Sequence, residues 1–79
     1  MRLIKDYAGS YYGEDVVDGY DIRVEVNTIN NRGWSWSIFV NDKLMVSDGW
    51  VGMRLKEIKD DLDKMIEYSI DEYERTTYR

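Results

Sequence analysis

The sequence contains no histidine and no cysteine. Without histidine, the chain cannot build a serine–histidine or cysteine–histidine nucleophile or a histidine-ligated metal site. Without cysteine, it cannot reinforce its core with disulfides or thiolate-bound zinc. The serines have no evident base to activate them, and carboxylates on a solvated helix are usually not catalytic. We therefore expect a protein that is not an enzyme and that needs no metal or cofactor.

Long apolar runs are also missing. No stretch approaches the roughly 18 apolar residues that a membrane span requires. Residues 1–7 include Lys5 and Asp6, where a signal peptide would have an apolar core. We expect a cytoplasmic protein with one domain over residues 1–79. A chain this short buries only about 60–65% of its unfolded surface, so a homodimer that buries more area is a further expectation.

Positive charge is in deficit, with 16 acidic residues against 11 basic ones and a net charge of −5. This balance disfavours direct binding to duplex DNA, because lysine and arginine supply most of that affinity. Two interpretations of the acidic excess remain. The excess charge keeps the protein soluble, or the acidic residues form a surface that occupies a basic groove on a partner protein.

Residues 20–47 have the alternation of antiparallel strands. Every second residue is apolar or β-branched along two segments, which is typical of half-buried strands. The repeating positions are Tyr20, Ile22, Val24, Val26 and Thr28, then Trp34, Trp36, Ile38 and Val40. Turns at residues 30–33 and 41–43 complete a predicted three-stranded meander.

The register of the third strand has two solutions. A three-residue loop places Leu44 and Val46 on the tryptophan face, whereas a two-residue loop places Met45 there. We prefer the three-residue loop because it buries more apolar surface.

Residues 1–19 are harder to interpret. Alternation over residues 2–7 predicts a short edge strand that would be the fourth of the sheet, and one helical turn is the alternative. Residues 11–19 have the composition of a loop.

Residues 52–75 are predicted to form one long helix. Apolar residues recur at spacings of three and four and give a single stripe. These are Leu55, Ile58, Leu62, Met65, Ile66, Ile70 and Tyr73. The helix is long enough to cross the sheet, and Trp34 and Trp36 should point into the layer between them. The predicted fold class is thus α+β, a three- or four-stranded antiparallel meander packed against one carboxy-terminal helix.

Acidic residues and two tyrosines are the candidate partner-binding residues. The acids lie in the 14–18 loop and along the helix, where they would pair with lysine and arginine of a partner. The set is Glu14, Asp15, Asp18, Glu57, Asp60, Asp61, Glu67, Asp71 and Glu74, together with Tyr11 and Tyr12. An EF-hand alignment with Gly19 as the invariant glycine places Val16 at a ligand position, and strand residues follow Gly19, so we expect no calcium loop.

The aromatic residues have a second interpretation. Trp34 and Trp36 with Arg23 and Arg32 could form a base-stacking platform for single-stranded nucleic acid. The acidic surroundings favour a core role for both tryptophans instead. Five further aromatics are hard to bury together and suggest a protein-binding surface, a cover for the open side of the sheet, or a homodimer contact. They are Tyr11, Tyr12, Trp50, Tyr68 and Tyr78.

The order of these elements resembles that of small meander-plus-helix proteins of phages and mobile elements, of the anti-CRISPR and anti-restriction type. The residues that carry the resemblance are Gly33, Trp34, Trp36, Ile38 and Val40, then Ser47, Gly49 and Trp50 before the helix. The resemblance is one of architecture over residues 20–75. It implies a phage-encoded, non-enzymatic inhibitor that binds a nucleic-acid-handling defence complex in the host cytoplasm. The alternative is a structural homo-oligomer.

Overall fold

One antiparallel sheet and one helix make up the part of the chain that the computed structural model describes, residues 2–7, 9–30, 33–51 and 54–77. The elements are β1 (Ile4–Tyr7), β2 (Ser10–Val17), β3 (Tyr20–Asn30), β4 (Gly33–Val40), β5 (Lys43–Val51) and α1 (Leu55–Thr77). The strands lie in the sheet in chain order. The predicted α+β class is confirmed, but the sheet has five strands where three or four were predicted.

The largest correction concerns β2, which occupies most of the segment predicted to be a loop. It pairs with β3 over its whole length, from Ser10 opposite Asn27 to Val17 opposite Tyr20. Asp18 and Gly19 form the two-residue turn between them, with φ angles of 52° and 83°. An Asp-Gly pair suits such a turn because both of its central residues need positive φ.

The predicted edge strand at residues 2–7 is confirmed as β1, and the helical alternative is wrong. Gly9 lies in the connection to β2 with a φ of 81°. Its carbonyl accepts hydrogen bonds from the Thr28 backbone N–H at 2.8 Å and the Thr28 hydroxyl at 3.1 Å. A Cβ atom at this position would lie 2.2 Å from Thr28 Oγ1, so only glycine fits this close approach.

The β4–β5 turn contains two residues, Asn41 and Asp42, with φ angles of 49° and 65°. The preferred three-residue loop is therefore wrong. Leu44 lies opposite Phe39, away from the helix, and is 50% exposed. A register shift next to Phe39 then returns Val46 to a position opposite Ile38, on the tryptophan face as predicted.

Helix α1 ends at Thr77, two residues beyond the predicted end, and begins at Leu55. The predicted starting positions, Gly52 and Met53, lie outside the described residues. The Glu57 side chain accepts a hydrogen bond from the Arg54 backbone N–H at 2.9 Å. This contact is one half of a capping box and replaces a helical partner that the first turn lacks. Within the described ranges, no helix has the length and apolarity to cross a membrane.

The core lies between α1 and one face of the sheet, which we call the covered face. Trp36 is only 5% exposed, and Trp34 packs at the margin, so the predicted placement of both tryptophans is confirmed. The buried apolar residues are Ile22, Val24 and Val26 of β3, Trp36, Ile38 and Val40 of β4, and Ile58, Leu62, Ile66 and Ile70 of α1. The other side of the sheet, the open face, has no helix over it among the described residues.

Candidate protein-binding surface

The acids predicted on the helix are all exposed, and most of them align. Residues at spacings of three and four lie on one side of a helix, and five carboxylates follow that spacing here. We call them the acidic stripe: Asp60, Asp63, Glu67, Asp71 and Glu74. At 1.5 Å per residue the stripe is about 21 Å long. Asp63 was not among the predicted residues, although the spacing alone places it in the stripe.

Internal contacts occupy some of the predicted helix acids. Glu57 caps the helix, and Glu74 accepts a hydrogen bond from the Tyr20 hydroxyl at 3.0 Å. Asp60, Glu67 and Asp71 have no hydrogen-bond or ion-pair partner among the described residues. These three exposed carboxylates can therefore accept contacts from another molecule without breaking one within the chain.

The predicted acids of the amino-terminal half do not join the stripe. Glu14 is exposed on the open face, on the opposite side of the sheet from α1. Asp15 is exposed, and its Oδ1 accepts a hydrogen bond from the Val16 backbone N–H at 2.8 Å. Asp18 is exposed in the β2–β3 turn. The predicted acidic set is thus divided between the helix and the β2–β3 hairpin.

Tyr11 and Tyr12 lie on opposite sides of the sheet because they are neighbours in one strand. Tyr11 is half-buried on the covered face, with its ring centroid 5.8 Å from that of Trp34. The Lys59 ammonium lies 5.9 Å from the same tyrosine ring. Tyr12 is 39% exposed on the open face, opposite Ile4 of β1. Of the two, only Tyr12 presents much of its ring to solvent.

The residues of the alternative nucleic-acid platform are not brought together. The Arg23 guanidinium lies 4.3 Å from the Phe39 ring centroid on the open face and 3.6 Å from an Asp42 carboxylate oxygen. Trp36 is buried on the other side of the sheet. Arg32, Tyr78 and the side chain of Trp50 lie outside the described part of the structure. Arg23 and Trp36 therefore cannot belong to one base-stacking surface, and this interpretation is wrong.

The segment considered for calcium, residues 14–25, is a β-hairpin. Glu25, which the EF-hand alignment would place at the last ligand position, pairs across the sheet with Tyr12, and Glu14 pairs with Arg23. An EF-hand loop instead wraps its ligands around one ion. Over the described ranges, no group of three or more acidic residues is arranged to hold a metal ion.

A cleft of about 450 Å³ lies between α1 and β5, and no sequence pattern predicts it. Its lining residues are Trp36, Val46, Asp48, Asp61, Lys64, Met65 and Tyr68. Trp36 is nearly buried and lies at the base, whereas Tyr68 is 57% exposed and lies at the margin. This α1–β5 cleft combines an apolar interior with charged residues at its rim.

Comparisons with protein-family models, with curated proteins and with solved structures found no match for this chain. Its class, a five-stranded antiparallel meander with one helix over one face, therefore rests on its own geometry.

Proposed function

We propose that this protein is a non-enzymatic protein-binding module whose acidic stripe binds a basic surface on a partner. The observation that carries the proposal is the alignment of Asp60, Glu67 and Asp71, three exposed carboxylates without partners among the described residues. Complementary charge on a partner would raise the association rate and fix the orientation of the complex.

The placement of these charges supports a role beyond solubility. Glu67 and Asp71 are four residues apart on one helix, a spacing at which like charges repel. Asp71 and Glu74 also lie near the helix carboxy terminus, where the macrodipole disfavours negative charge. Each effect is worth only a few tenths of a kcal/mol at an exposed position. Lysine and arginine side chains of a partner would remove both penalties on binding.

The partner that fits this surface is a protein groove lined with lysine and arginine. Such grooves otherwise bind the phosphates of nucleic acids, so a protein that fills one acts as an inhibitor. The resemblance to phage and mobile-element proteins makes a nucleic-acid-handling defence complex of a host the proposed target, in the host cytoplasm. Asp15 and Asp18 of the β2–β3 hairpin would extend the contact at the end of the molecule where Tyr20 meets Glu74, whereas Glu14 faces away from α1.

The test compares two triple charge reversals in an affinity pull-down from bacterial lysate. The first variant carries Asp60→Lys, Glu67→Lys and Asp71→Lys. The matched control carries Asp6→Lys, Asp21→Lys and Glu25→Lys, which change the net charge equally at exposed sites away from α1.

We expect a co-purifying protein to be lost with the helix variant, retained with the control, and weakened by salt. Equal retention by both variants would contradict the role of the acidic stripe. Equal loss would show that net charge, rather than this surface, is responsible.

A homo-oligomer is the second candidate, and exposed apolar side chains favour it. Ile4 and Tyr12 are cross-strand neighbours on the open face, and Leu44 is half exposed on the same face. Burial of such residues between two copies would add the apolar area that a small chain lacks. The molecular mass across a dilution series tests this candidate, and a strict monomer at micromolar concentration contradicts it.

A further inference from the structure

We propose that the α1–β5 cleft binds an extended segment of a partner protein that carries an apolar residue and a lysine or arginine two positions apart. The segment would add to the outer edge of β5 as a further strand. This site is separate from the acidic stripe and goes beyond the function proposed above.

The backbone of β5 provides the first part of the site. β5 is the last strand in the sheet order, so its outer edge faces no other strand among the described residues. It has nine residues, which is long for an edge strand, and residues 46–51 pair with β4 in regular register. Unpaired backbone groups along such an edge are a template for another extended chain.

The side chains of the cleft define the spacing of the two recognised residues in the segment. Tyr73, near the end of α1, contacts Asn41 at the start of the β4–β5 turn. The helix therefore runs antiparallel to β5. Tyr68 consequently lies near the Val46 end of the cleft, and Asp61 lies near the Asp48 end. In a strand added beside β5, alternate side chains point to the same face. One of them would meet the apolar end of the cleft, and the next on that face would meet its acidic end.

Asp48 distinguishes a basic segment from a second copy of this chain. It lies opposite Trp36 on the covered face of β5, and its Oδ1 accepts a hydrogen bond from the Gly49 backbone N–H at 2.7 Å. An inward-facing charge on an edge strand opposes pairing with an identical edge, because two such carboxylates would approach each other. Asp61 on the opposite wall has no partner among the described residues. The same two carboxylates attract a lysine or arginine.

The volume of the cleft agrees with this occupant. About 450 Å³ lies within the range of roughly 300–1,000 Å³ that is usual for binding clefts. Met65 and Tyr68 provide apolar walls, and both are at least partly accessible. Lys64 at the rim would repel a second basic residue beside the first, so the proposed segment carries only one lysine or arginine.

The experiment titrates isotope-labelled protein with a short capped peptide and follows the backbone amides by NMR. The peptide carries one valine and one arginine two positions apart among threonines. A matched peptide has glutamate in place of arginine, and another has the valine and arginine three positions apart. We expect the first peptide alone to shift the amides of residues 46–49 and 61–68 and to give backbone contacts to β5. Equal binding of the three peptides, or no contact with β5, would overturn the proposal.

Two single substitutions sharpen the test because they should act in opposite directions. Asp61→Asn should weaken peptide binding about threefold, and Lys64→Gln should strengthen it about twofold, as expected for exposed charges. Tyr68→Ser should weaken it about tenfold through loss of an apolar wall. None of the three side chains is buried, so folding is preserved.

The peptide contacts with β5 should persist in the Asp60, Glu67 and Asp71 reversal variant, so this proposal and the acidic stripe fail separately. A concentration-dependent dimer that Tyr68→Ser abolishes would place a second copy in the cleft and overturn the proposal.

Discussion

Asn41 connects three elements, and its replacement gives a defined loss of stability. Its backbone N–H donates to the Asp21 carbonyl at 2.8 Å, and its Oδ1 accepts from the Asp21 N–H at 2.9 Å. Its Nδ2 donates to the Tyr73 hydroxyl at 3.3 Å. The residue also has a φ of 49°, a conformation that asparagine tolerates better than alanine.

The magnitude follows from these contacts. Asn41→Ala removes two exposed side-chain hydrogen bonds, together worth about 1 kcal/mol. It also places a Cβ-bearing residue that does not favour positive φ at the turn, for about 1 kcal/mol more. We expect the free energy of unfolding to fall by about 2 kcal/mol. Asn41→Gly loses the same bonds without the backbone strain, so it should lose about 1 kcal/mol.

Urea unfolding followed by tryptophan fluorescence measures the difference. With a slope of about 1 kcal/mol per molar for a small chain, the midpoint should fall by about 2 M for Asn41→Ala and about 1 M for Asn41→Gly. Tyr73→Phe removes only the hydroxyl that accepts from Asn41 Nδ2, so it serves as the control for that single hydrogen bond. If the alanine and glycine variants unfold at the same urea concentration, the backbone argument is refuted. If neither differs from the parent protein, Asn41 does not connect these elements energetically.

Four further substitutions test the packing. Gly9→Ala should destabilise the protein by about 2 kcal/mol or more. Gly19→Ala should lose only about 1 kcal/mol, because Gly19 also has a positive φ but has open space around it. Thermal melts compare the two variants, and equal losses would contradict the contact with Thr28. Ile58→Ala should lose about 3 kcal/mol in urea unfolding, because the side chain is fully buried. Ser69→Ala should change stability by less than about 0.5 kcal/mol. The buried Ser69 hydroxyl donates to the Met65 carbonyl, which keeps its backbone partner in the helix without it. A loss above about 1 kcal/mol in the same assay would show that the hydroxyl makes a further contact.

The alternation of residues 20–40 was sufficient to predict β3 and β4 because the central positions of one face are buried, from Ile22 to Val26 and from Trp36 to Val40. The same rule failed for β2, where Gly13 interrupts the apolar face and two exposed acids, Glu14 and Asp15, follow it. The Asp18-Gly19 pair was the available signal, because it favours a two-residue hairpin turn. The composition of its acidic neighbours favours a loop instead.

The β5 register could not be settled by burial alone. A two-residue turn followed by a register shift exposes Leu44 yet returns Val46 to the covered face. Neither simple loop length produces that combination, and a bulge has no reliable sequence signature.

The two candidate surfaces differ in how far the sequence predicts them. The acidic stripe follows from helical spacing, and Asp63 could have been found by applying that spacing strictly. The α1–β5 cleft depends on where the helix lies across the sheet, which brings Met65 and Tyr68 beside Val46. That offset is a tertiary property, so no local pattern could predict it.

The agreement between strand order and chain order has a consequence for synthesis of the protein. Each strand pairs with the one made just before it, so the sheet can form progressively from the amino terminus. The helix that covers Ile22, Val24 and Ile38 is made after the strands that carry these residues. We therefore expect the nascent chain to present a bare apolar sheet until α1 has emerged, and a chain truncated before α1 to need a chaperone to avoid aggregation.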